Sequence, residues 1–85
     1  MNETAQINCS TLDKLSPGQT ALVKAIRTKN SSLRNKLLSM GLVAGTSIQV
    51  VCVAPLGGDP MEIKARGYNL SLRLGEANSV EIVRV

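Results

Sequence analysis

The sequence has no histidine, no tryptophan and no phenylalanine, and Tyr68 is its only aromatic residue. Histidine is the commonest side chain in metal centres and in acid–base catalysis, so its absence argues against both kinds of site. Without other aromatic side chains the core has to be built from Leu, Val and Ile, and the β-branched residues among these favour strands. The composition therefore predicts a mainly β protein that is not an enzyme.

Cysteine is scarce as well, since Cys9 and Cys52 are the only two thiols. They lack CxxC spacing, and two thiols without histidine cannot complete a four-ligand zinc site. The acidic residues show no coordinating spacing, and the glycine pair at 57–58 lacks the lysine of a phosphate-binding loop. We therefore expect two reduced thiols, no cofactor and no high-affinity metal site.

Long apolar runs are also missing. The longest run, residues 50–56, is far too short to cross a bilayer. The N-terminal residues lack the basic segment and apolar segment of a secretory signal. With 85 residues, we expect one small cytoplasmic domain with a thin core and no direct membrane insertion.

Acidic residues are absent from one long stretch of the chain, between Asp13 and Asp59. The basic residues of that stretch are Lys14, Lys24, Arg27, Lys29, Arg34 and Lys36. The whole chain has a net charge of +4 and a pI near 9.5. A positive surface of this kind favours an acidic protein surface, nucleic acid or an anionic membrane as partner.

The pattern of apolar residues predicts several short strands. Residues 1–10 show no periodicity and are predicted to be a loose tail, which leaves 11–85 as a single domain. A bulge near Lys24–Ala25 is predicted because Ile26 is out of phase with the residues before it. The predicted strands are 20–28, 46–54, 61–66, 68–74 and a last strand from residue 80. About five strands with tight turns and one helix indicate a small, strongly bent barrel.

One helix is predicted for residues 31–41, because Leu33, Leu37 and Met40 recur at helical spacing. Asn30 or Ser31 can accept hydrogen bonds from the first-turn N–H groups of this helix. The glycine that follows Met40 is predicted to end the helix in the left-handed conformation.

Three local strings occur together: LRNKLLSMGL at 33–42, APLGGDP at 54–60 and RGYNLSLR at 66–73. In this order and spacing they resemble the FeoA family, ferrous iron transport protein A, over residues 11–85. The resemblance implies an SH3-like barrel with a helix inserted after the first strand. It also implies cytosolic, non-catalytic action beside a membrane iron transporter with its own GTP-hydrolysing domain. The sequence departs from the family pattern at Gly57-Gly58, where one glycine is usual, and at Cys52, where a polar residue is usual.

The motif residues have structural interpretations beside the functional ones. Met40 is predicted to fill the core, Gly41 to stop the helix, and Gly67 to provide a positive φ between two strands. Tyr68 is predicted to be a barrel residue with its hydroxyl at the rim, and its alternative is a contact residue for a partner.

The leading hypothesis is a small accessory protein of ferrous iron uptake that docks on the cytosolic part of a membrane GTPase transporter. Its contact surface is predicted to combine the helix, its basic face and the 55–60 turn. The candidate contact residues are Arg34, Lys36, Leu38, Val51, Val53, Pro55, Leu56, Gly57 and Tyr68.

Two alternatives remain open at this point. Small barrels with basic stripes often bind nucleic acid, although single-strand binders use aromatic stacking platforms and this chain offers only Tyr68. The second alternative is an SH3-like domain of a metal-responsive regulator, although the chain contains no helix-turn-helix. Transition-metal ion binding is implied only at the level of the family.

Overall fold

The protein is described here as a computed structural model, which covers residues 9–53, 57 and 59–84. The described strands are β1 (Cys9–Thr11), β2 (Thr20–Ile26), β3 (Ser47–Val53), β4 (Met61–Ala65), β5 (Tyr68–Leu72) and β6 (Val80–Arg84). A 3-10 turn spans Leu12–Lys14, and the two α-helices are α1 (Ser31–Ser39) and α2 (Leu74–Ala77). The strands form one antiparallel sheet in the order β1-β6-β2-β3-β4-β5. The fold is therefore mainly β, as the composition predicts.

The first strand begins earlier than the sequence predicts. Cys9 and Ser10 belong to β1, where they pair with Val83 and Ile82 of β6. Both residues belong to the predicted loose tail, because their pairing partners are more than seventy positions away and leave no local periodicity. The described sheet therefore has six strands rather than about five, and α1 follows the second strand. The rest of the predicted tail, residues 1–8, lies outside the described residues.

The segment between β5 and β6 contains a short helix where the sequence predicts none. Leu74 and Ala77 bound α2, and the Leu74 N–H donates to Asp59 Oδ1 over 3.1 Å. The Arg73 N–H donates to Glu76 Oε1 over 3.0 Å. Side-chain oxygens thus accept two N–H groups at this helix start, which is how short helices are stabilised. Neither carboxylate stands at the N-cap position itself, so the sequence gives no simple capping signal.

Alternating burial in the central strands places the core on one face of the sheet. Ile48 and Val50 of β3, and Met61, Ile63 and Ala65 of β4, are all buried. These inward positions agree with the predicted alternation. The largest fully buried side chains are Leu12, Leu37, Leu42, Ile48, Val50, Met61, Ile63, Leu72, Val80 and Ile82.

Two irregularities adjust which residues face the core. The register between β2 and β6 shifts between Val23 and Ala25, which confirms the predicted bulge and returns Ile26 to the core. A second shift, between Val50 and Cys52 in β3, was not predicted. It leaves Val51 as the extra residue on the surface, with 43% of its area exposed.

Helix α1 begins at a side-chain cap, because the Leu33 N–H donates to Asn30 Oδ1 over 3.0 Å. Leu37 is fully buried, while Leu33 and Met40 pack partly buried against the core. The predicted stripe is therefore the face that α1 presents to the barrel. Within the described residues, no helix is long and apolar enough to span a membrane.

Candidate docking surface

The end of α1 and the turn between β4 and β5 meet at Gly41. Gly41 has a φ of +95°, and a Cβ built on it would lie 3.2 Å from Cδ of Arg66. Its N–H donates to the Leu38 carbonyl, and the next N–H, of Leu42, donates to the Leu37 carbonyl. These two bonds form the paired pattern of a Schellman motif, which a residue in the left-handed region closes. Two of the three sequence strings therefore come close together at this point, with little room for a side chain at Gly41.

The β4–β5 hairpin has a two-residue turn in which both residues have positive φ. Arg66 has a φ of 54° and Gly67 a φ of 84°, and the flanking residues Ala65 and Tyr68 pair across the turn. This combination is the type I′ turn, whose twist matches that of the strands beside it. A positive φ was expected at Gly67 alone, because arginine rarely adopts this region.

Arg34 and Lys36, the two basic residues chosen from the sequence for docking, are both engaged within the fold. Arg34 donates from Nη1 to the Ile26 carbonyl over 3.1 Å and from Nη2 to the Thr28 carbonyl over 2.8 Å. Lys36 Nζ lies 2.6 Å from Glu76 Oε2. Arg34 therefore joins α1 to the end of β2, and Lys36 joins α1 to α2.

A second ion-pair group lies on β2 and β6. Arg27 Nε lies 2.7 Å from Glu81 Oε1, and Lys24 Nζ lies 3.9 Å from Glu81 Oε2. The hydrogen bond from Arg27 lowers the pKa of the Glu81 carboxyl. In the same way, the hydrogen bond from Lys36 and the backbone N–H of Arg73 lower the pKa of Glu76. Both carboxylates thus compensate cations of the basic stretch.

The basic residues of the β4–β5 hairpin are arranged differently. Lys64, Arg66 and Arg73 are exposed, and in the described part of the chain none of them forms an ion pair. Arg73 also lines a shallow depression with Lys36, Pro60, Ser71 and Glu76. Cations without an ion pair to a described residue thus lie beside β5, outside the charge run seen in the sequence.

The structure places the apolar candidates on separate elements. Leu38 on α1 is 39% exposed and Tyr68 on β5 is 71% exposed. Val53 is half-buried and Gly57 is exposed, whereas Pro55 and Leu56 lie outside the described residues. Tyr68 is thus a surface residue, which fits its contact interpretation better than a rim position in the barrel wall.

Cys52 is exposed, and its Sγ lies 3.7 Å from Oε1 of Glu62 on the neighbouring strand. The other oxygen of Glu62 accepts from the Asn69 amide over 2.7 Å. Among the residues that the structure describes, no three His, Cys, Asp or Glu side chains group together to hold a metal ion.

Comparison with known families tests the resemblance. The family model described as the FeoA domain matches residues 10–84 of this chain. The chain belongs to the FeoA domain family. A curated relative from Porphyromonas gingivalis, "Fe(2+) transport protein A/Fe(2+) transporter FeoB fusion protein", is 35% identical over 71 residues. That match covers 84% of this chain but only 8% of the relative, so this FeoA domain corresponds to a small part of the fusion protein.

Solved FeoA structures share the fold. A FeoA-like protein from Clostridium acetobutylicum is 33% identical, with a TM-score of 0.83, covering 92% of this chain and 88% of that one. FeoA from Stenotrophomonas maltophilia, solved with zinc and described as a prokaryotic SH3 domain protein, is 27% identical, with a TM-score of 0.76. It covers 85% of this chain and 87% of its own. The SH3-like barrel that the sequence motifs imply is therefore the fold of this FeoA domain.

The same barrel occurs in a different class of protein. A manganese-dependent transcriptional repressor has a TM-score of 0.83 at 15% identity, over 91% of this chain and 37% of the repressor. At that identity the likeness concerns the fold alone.

Proposed function

We propose that this chain is an accessory protein of ferrous iron uptake that acts in the cytoplasm, without catalysis, by docking on the GTPase-containing membrane iron transporter. The observation that carries the proposal is the fusion of a related FeoA domain to FeoB within one polypeptide. A fusion keeps two domains in the same compartment at a high effective concentration. Separate chains of the same two families need a contact surface to achieve the same association.

The surface chemistry supports a protein partner. Lys64 and Arg66 on the β4–β5 hairpin, and Arg73 just after β5, form no ion pair with a described residue, and Tyr68 is 71% exposed beside them. Tyrosine and arginine are enriched among residues that dominate binding energy at protein interfaces. The exposed candidates Leu38, Val51 and Gly57 and the half-buried Val53 belong to the proposed contact surface, as do Pro55 and Leu56.

The proposal is tested by measuring binding of the purified chain to the cytosolic GTP-binding domain of FeoB from the same organism. We expect saturable binding that weakens as salt rises, because charged surfaces contribute to the encounter. An unrelated small GTPase of similar net charge is the control. Equal binding to the control protein, or binding to bulk nucleic acid but not to FeoB, would contradict the proposal.

A further inference from the structure

Strand β5 forms one edge of the described sheet, since its only strand partner is β4. In the two-residue hairpin the pair Ala65 and Tyr68 is hydrogen-bonded, so every second residue of β5 bonds to β4. The intervening residues, Asn69 and Ser71, direct their N–H and C=O groups away from β4. Both are exposed, and no described residue bonds to these backbone groups. The outer edge of β5 thus offers two donors and two acceptors.

This edge lacks the features that usually protect an edge strand. Residues 68–72 contain no charged residue and no proline, and their pairing with β4 has no bulge. Proteins normally block an exposed edge with charges, prolines or bulges, because an open edge pairs with other extended chains. The described part of β1, at the opposite edge, is three residues long, and a short edge strand is less open to pairing.

The surroundings of β5 indicate the chemistry of a segment that would pair with it. Arg66 precedes the strand and Arg73 follows it, and Lys64 lies opposite Asn69 on β4. At the Ser71 end, Arg73 shares a depression with Lys36 and Glu76, which pair with each other, and Glu62 lies opposite Ser71 on β4. Cations therefore lie at both ends of a strand whose own residues carry no charge. Acidic residues at both ends of an uncharged extended segment would complement this arrangement.

We propose that the outer edge of β5 binds an extended segment of the partner protein, uncharged in its centre and acidic at its ends, by strand addition. The proposal rests on the proposed function for the identity of the partner. A second copy of this chain fits less well. Antiparallel self-pairing centred on Leu70 would bring Arg66 of one copy close to Arg73 of the other, and like charges facing each other oppose association.

The first test replaces Ser71 with proline. Proline is tolerated in an edge strand where the N–H faces solvent, so Ser71→Pro should fold while losing one outward donor and obstructing the incoming strand. Ser71→Ala is the matched control, since it keeps the N–H group. We expect the FeoB cytosolic domain to bind Ser71→Pro at least about tenfold more weakly than Ser71→Ala. Equal affinity of the two folded variants would overturn strand addition.

The second test addresses the flanking charges. Arg66→Gln removes a cation next to β5, whereas Arg84→Gln removes an exposed cation at the end of β6. We expect Arg66→Gln to weaken binding about threefold or more at low salt and Arg84→Gln to have little effect. Equal effects of the two substitutions would show that net charge, rather than the β5 edge, governs binding.

A peptide probe separates the failure of this inference from the failure of the proposed function. The probe is a short peptide of alternating valine and threonine with glutamates at both ends, and its matched control has lysines at the ends. We expect the acidic peptide to slow hydrogen exchange of the Asn69 and Ser71 amides and the basic peptide to leave it unchanged.

Together, these tests distinguish a failure of strand addition from a failure of the proposed function. If FeoB binds the wild type and Ser71→Pro equally, strand addition is wrong and the proposed function stands. If FeoB binds neither, the proposed function is wrong. Slower amide exchange with the acidic peptide would then still support strand addition at β5, and unchanged exchange would contradict it.

Discussion

The basic stretch around α1 and the β4–β5 hairpin both carry positive charge, but their cations differ in the contacts that they make within the fold. Around α1, Lys24, Arg27, Arg34 and Lys36 all make contacts within the fold, to Glu81, to Glu76 or to backbone carbonyls. On the hairpin, Lys64, Arg66 and Arg73 make no ion pair in the described residues. Four of the six basic residues in the longer charge run are therefore engaged within the fold, whereas the three of the shorter group pair with no described acidic residue.

This difference shows why a charge run is a weak guide to a docking surface. The sequence has no acidic residue between Asp13 and Asp59. The fold nevertheless places Glu76 and Glu81 beside basic residues of this stretch. Long-range pairing of this kind cannot be read from local sequence. Only the neighbours of each cation in space decide whether its charge is compensated.

The largest expected effect concerns Gly41, where the two regions touch. Gly41→Val places a β-branched residue at a φ of +95° and its Cβ 3.2 Å from the Arg66 side chain. We expect a loss of about 1–3 kcal/mol in the free energy of unfolding. Thermal melts measure this loss as a lower Tm, by about 4–8 °C for each kcal/mol in a domain of this size.

Gly45 is the matched control for that experiment. It has a φ of +91° but nothing lies within 4 Å of an added Cβ. Gly45→Ala and Gly41→Ala therefore both place alanine at a positive φ. Only in Gly41→Ala does the added Cβ lie against the Arg66 side chain. A lower Tm for Gly41→Ala isolates the contact between the regions, and identical melts would mean that Arg66 moves aside without cost.

The fold was more predictable than the docking surface, and the reasons are physical. Helix α1, the inward residues of β3 and β4 and the bulge after Val23 follow from local periodicity and turn chemistry. Strand β1 and helix α2 were missed, because one depends on pairing with β6 and the other on the carboxylate of Asp59. The backbone groups at the edge of β5 have no sequence signal at all, since an edge is a property of strand order.

The second prediction tests the structural role assigned to the α1 region. Arg34→Met removes both hydrogen bonds to the carbonyls of Ile26 and Thr28 but keeps a long side chain on an exposed helix position. We expect a loss of about 1–2 kcal/mol in stability, because both bonds are charge-assisted but only the bond to Ile26 is partly buried. Lys29→Met is the control, since the Lys29 side chain forms no hydrogen bond or ion pair with a described residue. Denaturant titration measures both, and equal midpoints would show that Arg34 is free for docking.

The third prediction concerns association rates. Lys29 and Lys64 are both exposed and unpaired in the described residues, one before α1 and one on the hairpin. We expect Lys64→Gln to slow association with the FeoB domain about twofold at low salt and Lys29→Gln to slow it less. The difference should vanish at high salt, because the Debye length falls from about 10 Å at 0.1 M to about 3 Å at 1 M. A larger effect of Lys29→Gln on the association rate would indicate that FeoB docks beside α1 rather than on the hairpin.

The smallest effect is expected from the ion pair that joins α1 to α2. The hydrogen bond from Lys36 lowers the pKa of Glu76 below its ordinary value of 4.5. A carboxylate whose pKa is lower in the folded chain than in the unfolded chain stabilises the fold above the unfolded pKa. That stabilisation is lost as the pH falls through the folded pKa.

Glu76→Gln should therefore reduce stability at neutral pH by less than about 1 kcal/mol, because the pair lies at the surface and is screened by solvent. It should also flatten the loss of stability between neutral pH and pH values below 4.5. Glu62→Gln removes a carboxylate that forms no ion pair with a described residue, so the acid-dependent loss contributed by Glu76 should persist in that variant. Melts of both variants across this pH range make the comparison. An unchanged acid profile for Glu76→Gln would mean that Lys36 contributes no net stability and that its charge is available to a partner, as on the hairpin.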